Sequence, residues 1–255
     1  MKEVIKTDAL SYSIDNRQIL NEISINVTEG KTVGIIGPNG SGKTTFLKHI
    51  YRALPAPKKK VFVDDMSIDD ISYKETARKL AVLKQENGRE FDFNVFEMVL
   101  LGRAPYHNYF EDYNNEDKQV ALKALTQVGM TDMLEKSFNT LSGGEKQRVL
   151  MARAIAQETD IFIMDEPTNH LDVHYQWSIM ELISEMQKTV LGVFHELNLA
   201  SRFCDYLYVL ENGQVVARGE PLKIITQELM EDVFKVRTKV VDVEGQPYII
   251  FCGTK

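Results

Sequence analysis

The chain has 255 residues, 44% hydrophobic and 26% charged, the balance of a globular protein with a large core. Its net charge of −7 and pI of about 5.4 argue against a nucleic-acid binder. Two cysteines, Cys204 and Cys252, exclude a disulfide framework and are expected in or near the core of a protein of the reducing cytosol. No signal peptide is read at the N-terminus, and no run reaches the ~18 apolar residues of a membrane span.

In chain order, the alternating stretches Leu10–Ile14 and Ile23–Val27 read as short strands, with hairpin chemistry at Asp15-Asn16-Arg17. Thr32–Ile36 is an apolar strand, followed by a glycine-rich loop and the first turns of a helix, Thr45–Ile50. Pro55–Lys60 reads as a solvated surface loop. A helical pattern from Ser72 leads into a strand at Leu80–Leu83. From about Glu86 to Gln157 the chain turns mostly helical. Asn94 and Glu97 form a capping-box pattern that opens a helix to Leu101. Asn114 or Asn115 caps a second helix through Val128, stopped by Gly129, and a third is expected from Asp132 to about Lys136. Ile161–Met164 and Thr189–Phe194 read as fully buried strands of a parallel sheet. From Tyr206 short strands return around the hairpin signal Glu211–Gln214, interrupted by a helix from about Pro221 to Phe234. The pattern predicts one α/β domain over 1–255. Its core takes in about 1–85 and 158–255, with an antiparallel N-terminal part, and a helical subdomain is inserted at about 86–157.

Gly37-Pro38-Asn39-Gly40-Ser41-Gly42-Lys43-Thr44 reads G-x-x-x-x-G-K-[ST], the loop whose backbone N–H groups cradle a polyphosphate. The preceding strand and following helix are the context that motif needs, because the helix N-terminus adds a favourable dipole. Lys43 is placed to reach the β- and γ-phosphates, and the Thr44 hydroxyl to hold Mg²⁺. The strand Ile161–Met164 ends in Asp165 and Glu166. Strand ends are where an open α/β sheet sets its ligands, so Asp165 suits Mg²⁺ and Glu166 an attacking water. Leu141-Ser142-Gly143-Gly144-Glu145 opens a long helix and offers a second anion site. One nucleotide has a single triphosphate tail, so this second site makes sense if it serves a neighbouring subunit.

With these motifs in this order, the chain resembles the ATP-binding-cassette ATPase family over nearly all of its length. Gln85 stands where that family has its Q-loop glutamine, Asn169-His170-Leu171-Asp172 looks like the D-loop, and His195 looks like the switch histidine. The resemblance implies that two copies meet head to tail around two ATP molecules. Residues Gly37, Pro38, Asn39, Gly40, Ser41, Gly42, Lys43, Thr44 and Thr45 hold the nucleotide. Thr44, Gln85 and Asp165 organise Mg²⁺. Ser142, Gly143 and Gly144 reach the γ-phosphate from the other copy, with Asp172 also at the nucleotide. Glu166 orients or deprotonates the lytic water, and His195 contacts the γ-phosphate. His170 and His174 are four apart, but Leu171-Asp172 between them belongs to the D-loop stretch, so Mg²⁺ with ATP is the only metal expected.

One position departs from the family pattern. Where the family places an aromatic residue against adenine this chain has Ile14, with Tyr12 two residues earlier. Either Tyr12 reaches the base or plain apolar contact replaces the stack.

No long coiled coil lies between phosphate loop and signature, and a single cassette is present. Both features lean away from a soluble DNA-repair or translation ATPase, which stays as the alternative, and the resemblance implies that a cassette with no fused membrane span leans towards an importer. Val99–Tyr106, with its Leu-Leu-Gly-Arg-Ala-Pro core, resembles cassettes serving iron–siderophore, haem and cobalamin importers. That likeness implies permease partners in the membrane, an external substrate-binding protein, and a peripheral location on the cytoplasmic face. The stretch from Gln85 to Tyr109 is expected to receive a coupling helix, with Arg103 in the contact.

Overall fold

A computed structural model describes residues 2–84, 93–108, 111–169 and 171–254. Its contacts divide the chain into two compact units, one of 1–71 with 187–255 and one of 72–186. The residues expected to form the helical subdomain, 86–157, fall inside the second.

The first unit begins with β1 (Glu3–Thr7), β2 (Leu10–Ile14), β3 (Arg17–Ile23), β4 (Asn26–Thr28) and β5 (Thr32–Ile36). Helix α1 (Lys43–Ile50) follows, then β6 (Val61–Val63) and β7 (Met66–Ser67). Strands β4-β1-β6-β7 make an antiparallel sheet, and β2 pairs β3 in a hairpin. Asp15 and Asn16, at φ 47° and 63°, make its two-residue turn, the geometry a tight hairpin prefers. The strand expected at Ile23–Val27 is two strands. Glu22 turns at φ 52°, and the chain passes from β3, paired with β2, to β4, paired with β1. Thr7 bridges the gap, its hydroxyl donating to Ile23 O and accepting from Ile25 N–H, both at 3.0 Å.

The second unit runs through α2 (Tyr73–Lys79), β8 (Leu80–Lys84), α3 (Val95–Leu100), α4 (Asn115–Gln127), α5 (Gly143–Ala156), β9 (Ile161–Asp165) and α6 (Val173–Glu185). Strands β8 and β9 are parallel neighbours, Leu80 opposite Ile161. Four helix starts carry reciprocal capping boxes: Ser72 with Glu75, Asn94 with Glu97, Asn114 with Asp117, and Ser142 with Glu145. Each is worth about 1 kcal/mol and is readable from residues three apart. The helix expected at Asp132–Lys136 is a single 3₁₀ turn, Thr131–Met133.

The chain returns to the first unit with β10 (Thr189–Val193), α7 (Leu197–Phe203), β11 (Tyr206–Glu211), β12 (Gln214–Gly219), α8 (Pro221–Ile224), α9 (Gln227–Asp232), β13 (Val236–Val243) and β14 (Gln246–Thr254). Strand β5 lies between β10 and β11, parallel to both, and β12 pairs antiparallel on β11. This mixed sheet buries Val33, Ile35, Ile36, Val190, Leu191, Val193, Leu207 and Val209. The single helix expected at Pro221–Phe234 is broken at Ile225, which is buried. Ile225 N–H closes α8 on Pro221 O at 2.9 Å, and Thr226 then caps α9 by accepting from Leu229 N–H at 3.1 Å. Cys204 is buried as expected, whereas Cys252, on β14, is exposed.

Candidate functional site

In the first unit, β5 delivers the chain into the glycine loop and α1 begins at its last lysine. Gly37, Gly40 and Gly42 hold φ of 151°, 78° and 100°. A Cβ on Gly37 would stand 2.0 Å from Leu210 O. Only glycine fits there, so the loop's curvature is tied to β11 behind it. Lys43 is 5% exposed and turned into the loop, its ammonium donating to Gly37 O at 2.8 Å and Pro38 O at 3.0 Å. Ser41 Oγ is buried beside it and makes no hydrogen bond among the described residues. A buried hydroxyl without a partner and a cation at the mouth of an N-terminal helix suit a polyphosphate. Asn39 and Gly40 are exposed, and Thr44 and Thr45 half-buried. His195 follows the end of β10, where Phe194 N–H donates to Ile35 O at 3.1 Å. It stands beside the strand that feeds the loop and is exposed.

In the second unit, Asp165 ends β9 at 5% exposure, and Glu166 follows at φ 56°. That left-handed backbone is uncommon for a non-glycine residue and turns the chain sharply after the strand. The Glu166 carboxylate accepts from the Asn169 side-chain amide. Asp172, in the D-loop, caps α6 by accepting from Tyr175 N–H at 3.0 Å. Ser142 caps α5, and its hydroxyl donates to Glu145 Oε2 at 2.6 Å. That bond, the Ser142 N–H bond and nearby Lys136 and Arg148 outweigh desolvation and hold the Glu145 carboxyl below its usual range. Gly143 is exposed, and a Cβ on it would meet nothing within 4 Å. Gln85 and His170 lie outside the described residues.

Three residues to which the sequence assigns no role tie this unit together. Gln147, buried on α5, donates from its side-chain amide to Pro167 O at 2.8 Å, linking the signature helix to the turn after Glu166. Gln176 on α6 donates to Thr168 O at 3.3 Å and Leu171 O at 3.2 Å, holding the D-loop. Tyr175 packs against Gly144. Nothing in local spacing announces these contacts, because each joins separate motifs.

Arg103 takes a different place from the one expected. It is 7% exposed. Its guanidinium donates to Asp117 Oδ1 at 3.0 Å, Glu158 Oε2 at 2.7 Å and Ala156 O at 2.9 Å, and it lies 4.3 Å over the Tyr106 ring. His107 Nε2 reaches the other Asp117 oxygen at 2.8 Å. Burial alone would raise the Asp117 carboxyl, but hydrogen bonds from Arg103, His107 and Asn114 N–H outweigh it and hold it below its usual range. Arg103 is therefore an internal strut of the segment Leu101–Tyr106, a 3₁₀ helix, and its charge is consumed within the unit.

A phosphate-cradling loop in one unit, with an acidic strand end and a capped, glycine-opened helix in the other, defines a P-loop nucleotide hydrolase. Residues 20–169 match the ABC transporter family, and the chain belongs to it. It is similar to the ferric enterobactin transport ATP-binding protein FepC of Escherichia coli (34% identity, covering 98% of this chain and 94% of that one). It is equally similar to the iron(3+)-hydroxamate import ATP-binding protein FhuC of Bacillus subtilis (34%, 93% and 90%). Among solved structures, a chain of an inward-facing ABC transporter shares the fold at a TM-score of 0.84 and 23% identity, covering 100% and 98%. A dimeric ATP-binding cassette bound to ADP and Pi gives a TM-score of 0.72 at 29% identity, covering 85% and 98%. The chain is an ATP-binding, ATP-hydrolysing subunit of an ABC transporter, and the soluble repair or translation reading is set aside. Among the described residues no helix is long and apolar enough to cross a membrane.

Proposed function

We propose that this chain powers import of an iron chelate, haem or cobalamin-type compound. It acts as a head-to-tail pair of copies on the cytoplasmic face of the membrane, beneath permease subunits fed by an external binding protein. The observation that carries the reading is full-length similarity to ATP-binding proteins named for ferric enterobactin and iron(3+)-hydroxamate transport. The resemblance of Val99–Tyr106 to the matching stretch of such importer cassettes supports the same reading.

Each side chain has a role in that reading. Lys43 and the N–H groups of Gly40 to Thr44 hold the β- and γ-phosphates. Ser142, Gly143 and Gly144 present donors to the partner copy's γ-phosphate, with Asp172 at the same nucleotide. The open space at Gly143 supports this, since the backbone there is reachable from outside the chain. Glu166, held by Asn169, orients the attacking water, and His195 contacts the γ-phosphate. Thr44, Asp165 and Gln85 would hold Mg²⁺, which would supply positive charge to offset that of the phosphates. The half-buried Thr44 hydroxyl and the buried Asp165 carboxylate are hard oxygen donors that suit it.

The test is a pulldown of Glu166→Gln protein with ATP from detergent-solubilised host membranes. Co-purification of a multi-spanning permease is expected. Recovery of soluble partners alone would overturn the import reading.

A further inference from the structure

The turn that carries Glu166 is held in a conformation its own residues disfavour. Glu166 stands at φ 56° immediately before Pro167. A proline drives the residue ahead of it towards extended backbone, and a left-handed non-glycine residue is itself costly. Such geometry persists only where surrounding groups over-determine it. Within the turn, Asn169 N–H closes on Glu166 O at 3.3 Å and Leu171 N–H on Thr168 O at 3.4 Å. Both are longer than the usual separation of about 2.9–3.0 Å, so the turn does not fix itself.

Two glutamines, one from each of two helices, supply the rest. Gln176 of α6 donates to Thr168 O at 3.3 Å and Leu171 O at 3.2 Å. Gln147 of α5 makes the shorter bond, 2.8 Å to Pro167 O, the carbonyl of the residue next to Glu166. Gln147 is buried, so water does not stand in for that bond. It sits five residues after Ser142, on a helix whose start is fixed by the Ser142–Glu145 capping box. The same stretch of α5 is braced on α6, with Gly144 against the Tyr175 ring and the Arg148 guanidinium 5.4 Å over it. The donor is therefore carried by a rigid element and not by a loop.

We infer that Gln147 is a positioning residue for hydrolysis: from the signature helix it fixes the backbone that aims the Glu166 carboxylate. This rests on the role given to Glu166 above. Without the Gln147 donor, the Pro167 carbonyl is left buried and unpaired, and the turn relaxes towards the extended backbone that proline favours. The carboxylate then leaves its place beside the attacking water. Nucleotide binding, carried by the phosphate loop, is unaffected.

The test is kcat, KM and equilibrium affinity for ATP in the full chain, with Mg²⁺ present throughout. Gln147→Met keeps the length of the side chain and removes its donor. It is expected to lower kcat by about tenfold or more, the scale on which a displacement of about 1 Å acts. KM and ATP affinity should stay within about twofold of the parent. Should that variant prove unstable, Gln147→Asn keeps the amide but withdraws it by one methylene, and the same split is expected. In Glu166→Ala protein, read by single-turnover hydrolysis, Gln147→Met should cause no further loss, because it acts through the carboxylate already removed. Three results would each overturn the inference: parental kcat in both Gln147 variants, a fall in ATP affinity as large as the fall in kcat, or a further loss on top of Glu166→Ala. Glu166→Ala protein turning over at the parental rate would instead remove the role of Glu166 itself.

Discussion

Gly144 turns its bare Cα to the ring of Tyr175, and a Cβ built there would stand 3.0 Å from the ring edge. The contact joins the start of the signature helix to the first turn of α6, three residues past Asp172.

Gly144→Ala forces that ring to move, so it should destabilise the protein by about 1–2 kcal/mol, the range for modest overpacking. Combining it with Tyr175→Ala should recover part of the loss, a coupling that urea unfolding of both single variants and the double variant would reveal. Strict additivity would show that the ring is not what Gly144 accommodates.

Arg103 and Asp117 are 8% and 4% exposed at their side chains. Arg103→Met leaves the Asp117 carboxylate buried without its cation and should cost about 3–5 kcal/mol in chemical denaturation. Adding Asp117→Leu should restore part of it, because no unpaired carboxylate is left buried, although His107 and Asn114 N–H lose a partner. A loss of import at Arg103 is then a folding effect, which a lowered melting temperature of the purified chain would report.

The His49 pKa is lowered from 6.5 by burial. Below 6.5 the unfolded chain takes up a proton that the folded chain resists, so stability contributed here is full above 6.5 and falls with decreasing pH until the folded pKa is passed. Melting temperatures between pH 7.5 and 5 should decline, and His49→Phe should flatten the decline whatever its effect at pH 7.5. An unchanged slope would assign the pH dependence to other groups.

Cys204 is buried, and burial pushes its thiol up, with Asp205 adding to the effect. Cys252 is exposed. A thiol reagent at pH 8 should label Cys252 alone in the native protein and both in denaturant. Fast labelling of Cys204 by intact protein would mean that its pocket beside Gly34 opens readily.

Much of this molecule is legible in local sequence. The loop at Gly37–Thr44, with its strand and helix, is a contiguous pattern whose geometry is carried by glycines and a helix end. Capping boxes such as Asn94 with Glu97 act between residues three apart, and the hairpin turn at Asp15-Asn16 joins two strands next to each other in sequence. Such features form from near neighbours, so spacing reveals them. The separation of β3 from β4, the break at Ile225, the edge-on packing of Tyr12 against His49 and the burial of Arg103 were settled otherwise. Each depends on a partner brought close only by folding: Thr7 for the strand switch, α1 for the tyrosine, Asp117 and Glu158 for the arginine. A side chain's partners decide whether it is strut or contact, and packing chooses those partners from the whole chain.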